Sequence, residues 1–132
     1  MSTVDISVVV TTYKRPQMVQ DLILSYLWQS YANSELVILD DCVEDMRTQQ
    51  LVEGFMAKDA RIRFIKNPIN LGYSKNFLKS LTEARGKYIV TLGDDDIFIH
   101  KDILKKYVEV FELYPQVGFI YSNILQFNQD YE

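Results

Sequence analysis

The chain has 132 residues, 48% of them hydrophobic and 24% charged, with a formal net charge of −4. That length bounds a single domain able to bury roughly two-thirds of its unfolded surface, and the composition excludes a disordered or low-complexity chain. No run of Lys and Arg exceeds two residues, which excludes the concentrated basic patch of a nucleic-acid-binding surface.

From the N-terminus, Ile6–Val10 is a β-branched run broken only by Ser7. It predicts a strand buried on both faces. Pro16 suits the first turn of a helix, and Val19, Leu22, Ile23, Tyr26 and Leu27 recur at helical spacing. Trp28, at the end of that helix, is read as core. Leu36–Leu39 predicts a second strand ending at Asp40, and a second helix covers Met46 to Met56 with Leu51, Val52 and Phe55 inward. Ile62–Ile65 reads as a third strand, followed by turn chemistry at Asn67-Pro68 and Asn70-Leu71-Gly72. A helix from about Ser74 to Arg85 follows, with Gly86 expected in a left-handed closing conformation. Tyr88–Leu92 is the fourth strand. Ile103, Leu104, Tyr107, Val108 and Phe111 mark a further helix that ends near Pro115, and Val117–Tyr121 reads as a fifth strand. The polar and aromatic segment from Asn123 to Glu132 has no predicted element.

Strands alternating with helices imply an open, mostly parallel α/β sheet with flanking helices, formed as a single domain over 1–132. The single cysteine, Cys42, excludes an intramolecular disulfide and fits a reducing compartment. No apolar stretch is long enough to span a bilayer, and no signal-peptide pattern opens the chain. The expectation is a cytoplasmic protein, compatible with peripheral membrane attachment.

The polar clusters fall in one place. Thr11-Thr12-Tyr13-Lys14-Arg15 follows the first strand, Asp40-Asp41 the second, Asn70-Leu71-Gly72 the third and Asp94-Asp95-Asp96 the fourth. In a parallel sheet these groups share the carboxyl edge of the strands, where open α/β sheets bind ligands.

The adjacent carboxylates of the triplet repel one another unless solvent or a cation compensates. A solvated turn is the plain reading of an acidic run. Its position behind a buried strand favours Mg²⁺ or Mn²⁺, completed by substrate phosphate and water. Asp41 suits either a helix cap or an acceptor for a base N–H or ribose hydroxyl; Asp45 or Glu44 stands closer to the helix start and frees it. Thr11 and Tyr13 are either plain strand-end residues or a base contact, Tyr13 offering a ring face. Arg15 and Lys14 read equally as phosphate ligands or solvated cations. Gly72, with Ser74 as a cap, reads as a phosphate-accepting helix start or a plain turn. His100 and Cys42 lack the spacing of a zinc site.

At this point the strings themselves become informative. The run from Ile6 to Pro16 resembles the opening of family 2 glycosyltransferases. So do Val37-Ile38-Leu39-Asp40-Asp41, the segment from Asn70 to Asn76, and Ala84-Arg85-Gly86-Lys87-Tyr88-Ile89. The acidic triplet followed by Ile97-Phe98 is similar to that family's DxD-type metal motif. The resemblance covers nearly the whole chain, in order.

It implies a glycosyltransferase A-type fold, the Rossmann-like nucleotide-diphospho-sugar transferase fold. It also implies a nucleoside-diphosphate sugar donor, often UDP-linked, a carbohydrate or other hydroxyl acceptor, and Mg²⁺ or Mn²⁺. Thr11, Tyr13 and Asp41 would hold base and ribose; Gly72 and Asn76 would lie near the diphosphate. Asp95 would be the principal metal ligand, with Asp96 or Asp94 assisting through sugar, ribose or water. Gly93 stands where many members carry the first carboxylate, and Cys42 where Gly or Asn is common. Members usually continue into a half that supplies the acceptor site and catalytic base, which this chain is expected to lack; no catalytic base is assigned. Transfer is expected to be metal-assisted and inverting. The competing classes are a non-catalytic nucleotide-binding module, a nucleotidyltransferase and a phosphoacceptor domain. The last places its acids after the first and third strands rather than the second and fourth.

Overall fold

The computed structural model describes residues 3–128. Its elements are β1 (Ile6–Thr12), α1 (Pro16–Leu27), β2 (Ser34–Asp40), α2 (Arg47–Met56), β3 (Ile62–Lys66), α3 (Tyr73–Glu83), β4 (Tyr88–Gly93) and α4 (Ile103–Leu113). The strands form one parallel sheet in the order β3-β2-β1-β4. This is the α/β architecture expected from the alternation of strand and helix. Each strand outruns the apolar stretch that marks it, because the ladder continues wherever a neighbour stays in register. Thr12 thus pairs with Asp40, and Asp40 with Lys66.

The period of two along the strands divides the core between the faces of the sheet. Ile6, Val8 and Val10 of β1 join Leu36, Ile38 and Ile62 against α1, α2 and α4, through Val19, Leu22, Ile23, Tyr26, Val52, Leu104 and Val108. Val9, Val37 and Leu39 face the other way and pack with Leu81 and Ala84, at and beyond the end of α3. Coverage on both faces explains why β1 and β2 show no regular polar alternation. Each such buried aliphatic side chain stabilises the fold by roughly 1.5–3 kcal/mol.

Two polar residues intrude on the second face, and they are register partners. Ser7 Oγ donates to Glu35 Oε1 at 2.6 Å, while Arg63 Nη1 reaches Glu35 Oε2 at 3.1 Å. The Arg85 amide donates to Glu35 at 2.9 Å, and the Gly86 amide to Ser7 Oγ at 2.8 Å. Burial pushes the Glu35 carboxyl up, but the hydrogen bonds from Ser7, Arg85 and Arg63 outweigh it and leave the group below its ordinary value. Among the described residues no buried side-chain N or O lacks a hydrogen-bond partner.

Several local expectations need correction. Gly86 is not left-handed: α3 ends at Glu83, Ala84 is extended, and positive φ occurs at Lys14 and Gly72. Gly86 is there because a Cβ would lie 2.6 Å from the Ser7 backbone nitrogen. Ser74 does not cap α3; it lies inside the first turn, and Gly72, at φ 78°, is the N-cap. Trp28 is 54% exposed rather than core. It shares the helix face of Leu24, four residues earlier and likewise exposed. The N-cap of α2 is Met46, without a side-chain cap, rather than Asp45 or Glu44; Asp45, one residue earlier, accepts the Arg47 amide on Oδ1 at 3.0 Å.

Val117–Tyr121 forms no strand. Phe119 and Tyr121 are 79% and 84% exposed, and the run pairs with no edge of the sheet. Its apolar pattern satisfies the chemistry of a strand, but a strand also needs a ladder partner and a covering face. In the segment 123–132, residues 129–132 lie outside the described part of the chain. Among the described residues no helix is long and apolar enough to cross a membrane.

Candidate functional site

The chain builds β2 and β3 on one side of β1 and then returns to build β4 on the other. Strand order therefore reverses at β1, and the carboxyl ends of β1 and β4 flank the crevice where such sheets bind ligands. A cavity of about 660 Å³ lies there. Thr11, Tyr13, Arg15, Asp41, Gly72, Asn76, Asp94 and Asp95 all line it. Loops remote in sequence thus meet at one rim. Asp96 is the exception. Its Oδ2 accepts the Gly93 amide at 2.9 Å and closes the turn, away from the cavity wall.

Within the triplet, environment separates the acids. Asp94 is buried and held on both oxygens, Oδ2 by Thr12 Oγ1 at 2.8 Å and Oδ1 by Arg15 Nη1 at 3.1 Å. Asp95 exposes 60% of its side chain, and Arg15 Nη1 stands 3.8 Å from its Oδ2. Gly93 makes this turn possible. A Cβ there would lie 2.8 Å from Asp95 Oδ1 and 3.1 Å from Asp96 Oδ2. The space that a side chain at position 93 would fill is taken by the neighbouring carboxylates.

Asp41 is held from the other side of the rim. Its Oδ1 accepts Asn67 Nδ2 and the Leu71 amide, each at 2.8 Å, and its Oδ2 accepts the Gly72 amide at 2.9 Å. Charge-assisted bonds of this kind are roughly twice as strong as neutral ones, so one carboxylate shapes the whole loop from Asn70 to Gly72. Asn67 also donates to Asn76 Oδ1 and accepts Lys79 Nζ, both at 2.8 Å, while Asn76 Nδ2 reaches the Leu39 carbonyl at 3.3 Å. Asn76 lines the cavity, yet its own amide is spent on this network. Beside it, Cys42 is buried; its amide donates to Asp40 Oδ1 and its thiol to Glu44.

Aromatic side chains complete the rim. Tyr13 is 45% exposed, and Lys14 Nζ lies 5.0 Å from its ring centre. Hydrogen bonding to Tyr13, before any charge effect, raises the Lys14 ammonium above its ordinary value. Lys14 itself adopts φ 57°, a left-handed conformation unusual for a side-chain-bearing residue. Across the cavity, Tyr73 and Phe77 stack with ring centres 6.2 Å apart.

The donor chemistry fits a hard divalent cation. Asp95 offers accessible carboxylate oxygens at the cavity, and Mg²⁺ or Mn²⁺ commonly takes one or two carboxylates plus phosphate and water. Among the described residues no group of three or more His, Cys, Asp or Glu side chains could hold an ion.

Thr12 and Asn67 are the residues that sequence reasoning passed over. Strand alternation puts Thr12 on the face opposite Thr11, which was the available signal for its contact with Asp94. Asn67 looked like turn chemistry beside Pro68, and nothing local announces its reach to Asp41.

An open parallel sheet with acidic loops around its switch point is the architecture of a nucleotide-diphospho-sugar transferase of the glycosyltransferase A type. Residues 7–132 match the family described as Glycosyl transferase family 2, and the chain belongs to that family. The glycosyltransferase MJ1057 of Methanocaldococcus jannaschii is 36% identical over 107 residues, covering 79% of this chain and 37% of the relative. S. aureus TarS 1-349, solved in complex with UDP-GlcNAc, superposes with a TM-score of 0.75 at 27% identity, covering 84% of this chain and 32% of that one. The mannosyltransferase PcManGT from Pyrobaculum calidifontis, solved with GDP-Man and Mn²⁺, shares the fold at a TM-score of 0.72 and 19% identity, over 80% of this chain and 32% of that one. The chain spans less than two-fifths of the length of each of these proteins.

Proposed function

We propose that this chain is the donor-binding portion of a glycosyltransferase, holding a nucleoside-diphosphate sugar for transfer to an acceptor hydroxyl. The observation that carries the reading is the meeting of Asp41 and Asp95 on one cavity at the switch point. The TarS structure that contains UDP-GlcNAc supports it.

The nucleotide is UDP. Asp41 has two donors on Oδ1 and one on Oδ2, which leaves a single acceptor position, on Oδ2. Uracil presents one ring N–H there, whereas guanine presents an N–H and an amino group side by side. Tyr13 offers its half-exposed ring as a stacking face, and Thr11 lies on the wall beside it for the ribose. Gly72 and the start of α3 lie toward the diphosphate, with Asn76 fixing the wall behind them and Arg15 contributing positive charge from the opposite side.

Asp95 is the principal ligand for Mg²⁺ or Mn²⁺, and Asp94 and Asp96 hold the turn that presents it. The cation supplies Lewis-acid stabilisation of the charge that develops on the departing diphosphate. The chain's own part is to fix the donor, so that the bond between anomeric carbon and phosphate oxygen points away from the acceptor. Oxocarbenium character develops at that carbon, the acceptor oxygen attacks the opposite face, and a carboxylate takes its proton. Asp41 and Asp94 are committed to their hydrogen bonds, and Asp95 to the cation, so none of them is assigned that task. The acceptor is a carbohydrate or another hydroxyl compound, met in the cytoplasm or at a membrane surface.

Titration of UDP, GDP and CDP, each with and without Mn²⁺, tests this reading. UDP binds best, Mn²⁺ strengthens it about tenfold or more, a difference of about 1.4 kcal/mol, and Asp95→Ala removes the strengthening. Nucleotide affinity indifferent to both cation and substitution would sink it.

A further inference from the structure

Arg15 is the basic side chain that the cavity sets against its acids. Its Nη1 lies 3.1 Å from Asp94 Oδ1 and 3.8 Å from Asp95 Oδ2. The two contacts differ in kind. Asp94 is 11% exposed in its side chain and also gripped by Thr12, so it holds the guanidinium in place. Asp95 is open to solvent and touches Arg15 only at the outer limit of an ion pair. Asp96 is turned onto the Gly93 amide, and the Lys14 ammonium lies over the Tyr13 ring.

A divalent cation on Asp95 would therefore sit within a few ångströms of a positive charge already anchored by Asp94. Like charges at such spacing repel even through partial solvent screening. A nucleoside diphosphate in the same cavity changes the balance, because its phosphate oxygens give both cations a common counter-ion.

We propose that Arg15 makes cation binding conditional on the nucleotide: alone it weakens the cation at Asp95, and with a diphosphate present it joins the cation on the phosphates. The proposal rests on the assignment of Asp95 as the cation ligand made above. By linkage, the factor by which nucleotide strengthens cation binding equals the factor by which cation strengthens nucleotide binding. Arg15 raises that common factor. Donor and metal then enter as a pair, and the acidic turn is not left loaded with metal alone. Arg15 is a positioning residue in this role, acting through charge.

The test counts free Mn²⁺ by the electron paramagnetic resonance signal of the hydrated ion, with and without UDP. It uses the full chain and its Arg15→Gln, Arg15→Met, Arg15→Lys and Asp95→Ala variants. Removing the charge raises nucleotide-free Mn²⁺ affinity about tenfold and shrinks the enhancement by UDP, within the range typical of coupled sites. Arg15→Lys keeps the charge and stays close to the unsubstituted protein. Arg15 is half exposed, and the Gln and Met variants are read together, so one misfolded variant does not remove the readout. Unchanged or weaker nucleotide-free Mn²⁺ binding in both variants, with the UDP enhancement intact, overturns the role of Arg15 and leaves the cation site standing. Mn²⁺ binding that survives Asp95→Ala overturns both.

Discussion

Thr12 and Asp94 lie 82 positions apart, yet the Thr12 hydroxyl donates to Asp94 Oδ2 at 2.8 Å. Thr11, the preceding residue, pairs with Gly93 across the ladder between β1 and β4. One strand end therefore holds the acidic turn twice, through backbone and through side chain. The carboxylate that faces the cavity is presented by a turn whose base cannot drift.

Thr12→Val keeps the shape of that side chain and removes its donor, leaving a buried carboxylate oxygen short of a partner. Stability should fall by about 1–3 kcal/mol, read by chemical denaturation, and Thr12→Ser should recover most of it. Mn²⁺-dependent nucleotide binding should weaken in the Val variant alone.

The link between Asn67 and Asp41 is open to a charge test. Asn67→Asp replaces a donor with a second carboxylate 2.8 Å from the first, although Lys79 remains beside it. Like charges at that distance cannot both ionise cheaply. UDP affinity at neutral pH should drop by about tenfold, or 1.4 kcal/mol, and recover partly as pH falls and one acid takes a proton. Calorimetric titration of UDP at several pH values measures this directly.

At the opposite edge of the sheet, Glu35 should make the fold acid-sensitive. Its folded-state pKa lies below the ordinary value of 4.5, so the unfolded chain binds the proton first as pH falls. The stabilisation is complete above that value and is lost as pH falls through the lower folded value. Glu35→Gln should flatten the stability profile below pH 4.5. At neutral pH it should cost about 1–3 kcal/mol, since a Gln amide turns a donor toward groups that also donate, while Arg63 keeps Glu83 at 3.5 Å. Denaturation midpoints across the acid range distinguish the two proteins.

Gly86→Ala should destabilise by about 1–3 kcal/mol, the range for forcing a methyl group into packed atoms. The atom in its way is the Ser7 backbone nitrogen, which cannot swing aside. Thermal melting measures the loss, and a neutral result would mean that β1 and the segment before β4 can part.

Much of this architecture was legible because buried strands and amphipathic helices write their periods into the chain. The β-branched run at Ile6, the stripe from Val19 to Tyr26 and the abrupt acids at Asp40 and Asp94 each report burial or its end. The convergence of Thr11, Tyr13, Asp41, Gly72 and Asp95 followed from topology, since parallel strands put their carboxyl ends along one edge. Failures arose where position depends on a partner elsewhere. Val117–Tyr121 has strand chemistry without a ladder, Trp28 shares the open face of Leu24, and Gly86 answers to a backbone 79 residues away. The division of labour within the acidic triplet was hidden for the same reason. Adjacent aspartates differ only in what the fold sets against them: Thr12 and Arg15 at Asp94, the Gly93 amide at Asp96, and open cavity at Asp95.

The most direct measurement is nuclear magnetic resonance mapping of UDP and Mn²⁺ on the isotope-labelled chain. Amide shifts caused by UDP should gather at residues 11–15, 41 and 70–73, and Mn²⁺ added with UDP should broaden residues 93–96 most strongly. Perturbation centred instead on the second cavity, about 460 Å³ and lined by Ser30, Tyr31 and Lys105, would contradict the account, as would separate sites for the two ligands.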